Sequence, residues 1–100
     1  MQPEGKLYNI KLHLSPEIAL SVTHIQWHST QAVTLNNDGS AIMQFRVDGL
    51  NDVSGWILSY GDRVKVLAPQ VLQAKVAQIA SRTAKLYEQS HEKGVQELVA

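Results

Sequence analysis

Asn36-Asn37-Asp38-Gly39 is the feature that most restricts how this chain folds. Asparagine, aspartate and glycine tolerate positive φ, so such a run between two β-rich stretches closes a hairpin. Thr30 to Leu35 precedes it. Ser40 to Asp48 follows, with Ala41, Met43, Phe45 and Val47 on one face. A two-stranded hairpin is marginal alone and needs further strands or a helical cover over its apolar face. Both flanks of the chain supply them.

On the N-terminal side, Tyr8, Ile10, Leu12 and Leu14 alternate with Asn9, Lys11 and His13, the period of a half-buried strand. Ser15-Pro16-Glu17 then reads as a helix start. Serine accepts from unpaired backbone donors, proline suits the first helical position, and an acid complements the dipole. Ile18, Val22 and Ile25 form the apolar stripe of a helix expected to end near His24 to Gln26.

On the C-terminal side, Asp48-Gly49 breaks the second hairpin strand. Leu50, Val53, Ile57 and Tyr60 fall at helical spacing, with Gly61 as the expected C′ residue. Gly55 lies inside this helix and weakens it by roughly 0.5–1 kcal/mol relative to alanine. Arg63 to Leu67 reads as a short strand. Pro69 opens the longest helix, carried by Leu72, Val76, Ile79, Thr83 and Leu86 to about Glu88. Gly94 interrupts the remainder.

The order is therefore β-α-β-β-α-β with an added C-terminal helix. Two βαβ halves joined by a hairpin predict a ferredoxin-like α+β domain with an antiparallel sheet. Right-handed crossovers put its first two helices on one face. The expected inward set is Tyr8, Ile10, Leu12, Val33, Leu35, Met43, Phe45, Val47, Val64 and Val66. A chain of 100 residues buries roughly two-thirds of its unfolded surface, enough for one core. The expected limits are a polar lead-in at 1–6, the domain at 7–88 and a tail at 89–100.

The opposite sheet face carries Lys11, His13, Thr34, Gln44, Arg46, Arg63 and Lys65, with Ala32, Ile42 and Leu67 among them. Two uses fit this polar, basic surface. One is a site for an anion or a nucleic-acid backbone. The other is a solvated face, or one covered by the last helix or by a partner subunit, since basic residues on strands also block edge pairing. Base stacking in the manner of an RNA-recognition motif needs aromatics on the central strands. The outward positions Asn9, Lys11, His13, Ile42, Gln44 and Arg46 supply none.

Charge and composition narrow the function classes. Nine basic residues balance nine acidic ones and there is no cysteine. The balance argues against a dedicated nucleic-acid binder. The missing thiols exclude disulfides, thiolate zinc sites and cysteine nucleophiles. Met1 to Lys6 does not read as a signal peptide. No run approaches the ~18 apolar residues of a membrane span. A cytoplasmic domain without membrane contact is expected.

No catalytic set assembles. His24 and His28 have i, i+4 spacing, but the helix is ending there and no third metal ligand is evident. Asp38, Asp48, Asp52 and Asp62 all fall at turns or helix entries, where aspartate caps backbone donors. Lys75, Gln78, Arg82 and Lys85 form a polar stripe on the long helix, which fits either contact with phosphate or the solvated side of an amphipathic element. No enzyme, cofactor or metal site is expected.

Two stretches are more specific than any of these. The first is Ile25-Gln26-Trp27-His28-Ser29-Thr30-Gln31, followed by Asn37-Asp38-Gly39-Ser40 and Phe45-Arg46-Val47. The second runs from Trp56-Ile57-Leu58-Ser59-Tyr60-Gly61 through Val64-Lys65-Val66-Leu67-Ala68-Pro69. Together they resemble the C-terminal extension, or WCX domain, of WYL-domain transcriptional regulators. The resemblance spans about residues 7 to 88. Its signature positions here are Trp27, His28, Gln31, Trp56 and Gly61, for which packing is the expected role. Gly55 departs from the family in standing where a longer residue is usual.

The resemblance implies a ferredoxin-like regulatory and dimerisation domain, a homodimer, and helix-turn-helix and WYL domains on the same polypeptide. It also implies a nucleotide or nucleic-acid effector. Met1 is then expected to be the artificial start of an excised domain. An alternative is an anion- or nucleotide-sensing module that uses Lys11, His13, Gln44, Arg46, Arg63 and Lys65.

Overall fold

The structure is a computed structural model that describes the backbone of residues 6–99 and the side chains of residues 6–88. Strand β1 spans Leu7–Leu14, helix α1 Pro16–Thr23, β2 Ala32–Leu35 and β3 Ala41–Asp48. Helix α2 follows at Asn51–Leu58, then a 3-10 turn at Gly61–Arg63, β4 at Val64–Ala68 and α3 at Gln70–Val99. The strands form one antiparallel sheet in the order β2-β3-β1-β4. The fold is a small α+β domain with three helices, one of them C-terminal.

Alternation in β1 decides what is core. Ile10, Leu12 and Leu14 are buried, while Asn9 and Lys11 are exposed. From β3 come Ala41 and Met43, and from β4 Val64 and Val66. Ala19 and Val22 of α1, Val53 and Ile57 of α2, and Leu72 of α3 complete the same cluster. All three helices therefore pack on one face of the sheet.

The hairpin turns as its residues dictate. Asn36 N–H bonds to the Ser40 carbonyl at 2.8 Å, and Gly39 adopts φ +90°. Asp38 accepts from both the backbone N–H and the hydroxyl of Ser40.

Several expectations change. Helix α1 stops at Thr23, so Ile25 leaves its stripe and is 51% exposed. The last turn tightens as Ile25 N–H reaches back only to Val22, and the indole N–H of Trp27 takes the same carbonyl at 2.8 Å. Ser15 caps α1 through its backbone carbonyl, which accepts from Ile18 and Ala19, not through its hydroxyl.

Val33 and Leu35 share a face with their cross-strand partners Met43 and Ala41, yet they are 38% and 60% exposed. They are not core. The eight-residue α1 packs over β3, and among the described residues no helix packs substantially on β2.

Gly61 is not the C′ residue. Ser59 is the C-cap, and Gly61 lies two residues beyond it at φ +63°, where it opens the 3-10 turn. Helix α3 does not end near Glu88 but continues to Val99. A single internal glycine costs about 1 kcal/mol, too little to stop a long helix at Gly94. Among the described side chains only those at the start of α3 are anchored. Leu72 is buried and Val76 and Ile79 are half-buried, but Thr83 and Leu86 are exposed. No described helix is long and apolar enough to cross a membrane. Expectations on residues 1–5 lie outside the described residues, as do those on the side chains of 89–100.

Candidate functional site

Strand register places the basic residues. Across the sheet, Thr34, Ile42, His13 and Lys65 form one row of paired positions. Ala32, Gln44, Lys11 and Ala68 form the next, and Arg46 with Asn9 begins a third. Rows on one face repeat every second residue and strands lie ~4.8 Å apart. Lys11, His13, Gln44, Arg46 and Lys65 therefore share one patch. A bulge between Lys11 and Leu12 sets Ala68, not Leu67, opposite Lys11.

Among the described residues nothing covers this face. Lys11, Gln44, Arg46 and Lys65 are exposed and His13 is half-buried. Arg46 is held at both ends. Its backbone N–H bonds to the Thr30 hydroxyl at 2.8 Å and its guanidinium Nε to Asn9 Oδ1 at 3.3 Å. Asn9, Thr30, Gln44 and Arg46 thereby line a shallow groove of about 260 Å³.

Arg63 does not join them. It lies in the 3-10 turn ahead of β4, and its Nε pairs with Glu17 Oε2 at 3.4 Å. The Glu17 carboxyl is held below its ordinary range by the nearby Ser15 hydroxyl first, although that hydroxyl makes no hydrogen bond of ordinary geometry, then by its own backbone N–H and by Arg63, which it meets at 3.4 Å. Asp38 is likewise lowered, chiefly by the Ser40 hydroxyl and N–H and more weakly by the charge of His13.

The signature residues form a separate construction. Gln31 Oε1 accepts the Trp27 backbone N–H at 2.8 Å, and Gln31 Nε2 donates to the Ile25 carbonyl at 3.1 Å. The His28 Nδ1 faces both the backbone N–H and the hydroxyl of Thr30, at 3.2 and 2.9 Å. A backbone N–H only donates, so the ring proton resides on Nε2. His28 stacks on Phe45, with centroids 6.3 Å apart. Trp27 meets Trp56 edge-on at 5.4 Å, and Trp56 meets Tyr60 at 5.3 Å.

These aromatics open a cleft of about 200 Å³ between α2 and the α1–β2 connection, lined by Trp27, His28, Phe45, Val47, Asp52 and Trp56. Nothing in the sequence announced this convergence. The residues are far apart along the chain and belong to three segments, the α1–β2 connection, β3 and α2. His24 stays apart, exposed at the end of α1. Among the described residues no group of three His, Asp or Glu draws together.

A small α+β domain with an open polar sheet face and an aromatic-lined helical face is the class that this geometry defines. The chain belongs to the WCX domain family, whose model matches residues 6–84. No curated protein matches it.

Proposed function

We propose that residues 7–88 are the C-terminal regulatory and dimerisation domain of a bacterial WYL-type helix-turn-helix transcriptional regulator, flanked by a lead-in at 1–6 and a tail at 89–100. It modulates DNA binding by the rest of the polypeptide and has no catalytic role, cofactor or membrane contact. The cytoplasm is its compartment. The family match over residues 6–84 carries this proposal. The strand order β2-β3-β1-β4 supports naming the arrangement ferredoxin-like. The exposed apolar residues Leu35, Leu86 and Tyr87 supply surface for self-association. Reading the coding sequence ahead of residue 1 tests the assignment. Helix-turn-helix and WYL segments are expected there, and an unrelated domain or a stop codon in frame overturns it. Light scattering that finds a strict monomer at high concentration overturns the dimer.

The second function is anion or nucleotide sensing by the open face. The exposure and shared register of Lys11, Gln44, Arg46 and Lys65, with His13 beside them, favour it. Fluorescence anisotropy with a labelled oligonucleotide tests it. Binding is expected to weaken with salt and to fall for Arg46→Ala and Lys65→Ala, while Arg63→Ala, already paired to Glu17, leaves it unchanged. Absence of salt-sensitive binding sinks the idea.

A further inference from the structure

We propose that the cleft walled by Trp27, Phe45 and Trp56, with Asp52 at its rim, binds a small organic cation, an ammonium group carrying alkyl substituents. This goes beyond the regulatory assignment and does not involve the basic face.

The lining carries one charged side chain, the Asp52 carboxylate, and no lysine or arginine. Asp52 stands exposed in the first turn of α2. The two indole planes meet at 60°, so they form two walls of a corner. Phe45 and the His28 ring stacked on it form a third. Because the His28 Nδ1 is turned to Thr30, the imidazole contributes a ring face, not a second acceptor at that atom.

Aromatic faces are negative at their centres and attract cations, and this attraction rises as water is excluded. An anion is opposed by both the rings and Asp52. A bare metal ion or a simple ammonium gains little, because apolar walls offer too few donors to replace its hydration shell. A neutral apolar molecule gains burial but nothing from the carboxylate. An alkylated ammonium combines all the available terms: burial of its methyl groups, attraction to the rings and attraction to Asp52. Size agrees. About 200 Å³ is the room of roughly six or seven waters at ~30 Å³ each, the bulk of a trimethylammonium group on a short alcohol.

Choline and its neutral isostere, 3,3-dimethylbutan-1-ol, separate charge from shape. The 100-residue chain is titrated with each, and with adenosine, while the indole N–H resonances of Trp27 and Trp56 are followed by NMR. Choline is expected to shift both. The isostere is expected to bind roughly fivefold more weakly, the worth of one cation–π contact. Asp52→Asn weakens choline by a similar factor and leaves the isostere unchanged. Because Asp52 is exposed, this substitution keeps the fold, which the dispersion of the spectrum checks. Equal binding of choline and isostere overturns the proposal in favour of an apolar cleft. A larger response to adenosine overturns it in favour of base stacking. Absence of any shift at a large excess of choline overturns it outright. The basic-face substitutions Arg46→Ala and Lys65→Ala leave choline binding unchanged, so the two proposals fail independently.

Discussion

The Gln31 side chain grips Trp27 and Ile25 together. Its Oε1 accepts the Trp27 backbone N–H and its Nε2 donates to the Ile25 carbonyl. Trp27 in turn hands its indole N–H to Val22, at the end of α1. The tryptophan-to-glutamine spacing is thus a closed set of hydrogen bonds that joins a helix terminus to the start of an edge strand.

Removing that grip has a measurable cost. Gln31→Ala loses two side-chain hydrogen bonds and is expected to destabilise by about 1–2 kcal/mol. Gln31→Glu keeps the acceptor for Trp27 but loses the donor to Ile25, and falls between the two. The urea midpoint of each variant, at unchanged slope, measures this.

Burial separates two leucines of similar sequence context. Leu12 is fully buried and Leu35 is largely exposed. Leu12→Ala is expected to cost ~2–5 kcal/mol through lost packing and a residual cavity. Leu35→Ala is expected to stay within about 0.5 kcal/mol. Paired denaturation curves check the contrast, and equal losses would place a cover over β2.

The two glycines of the α2 region respond in opposite senses. A Cβ on Gly55 meets nothing within 4 Å, so Gly55→Ala is expected to stabilise by roughly 0.5–1 kcal/mol. Gly61 also has space, but its φ of +63° is left-handed, and Gly61→Ala is expected to destabilise by about 1–2 kcal/mol. Thermal melts of both variants read the signs.

Acid sensitivity follows from Glu17 and Asp38, both lowered in the fold. Depressed carboxyls contribute stability while ionised. That contribution is fully present above the ordinary carboxylate range and is lost as pH falls through the lowered folded values. The midpoint of unfolding is expected to hold above about pH 5 and to decline below it. Asp38→Asn removes part of that slope, and a series of melts across the acid range measures the difference.

Much of the fold was written locally. The alternation from Tyr8 to Leu14 gave a strand and its inner face, and Asn36 to Gly39 gave the hairpin. Alternation assigns a face but not a cover, and so Val33 and Leu35 lie on the inner face yet stay exposed. Whether they are buried depends on the reach of α1, a tertiary property. Arg63 fell on the basic face by parity alone, and the 3-10 turn cancelled that parity. Within the candidate sites, the shared face of Lys11, His13, Gln44, Arg46 and Lys65 is legible because side-chain alternation along a strand is local, whereas the pairing that draws them together is not. The cleft is not, because Trp27, Phe45, Asp52 and Trp56 meet only through the packing of separate segments.

The partial anchoring of α3 has a mechanical consequence. From Ile79, the last described residue of α3 with appreciable burial, to the exposed Glu88 the helix advances about 13 Å at ~1.5 Å per residue. Over these described residues the helix is a stiff rod held at its start, and it acts as a lever. A tilt of roughly 10° at the contact of Leu72 with the core moves the axis at position 88, ~24 Å further along, by about 4 Å. Small repacking under Leu72 is therefore magnified where α3 stands clear of the domain.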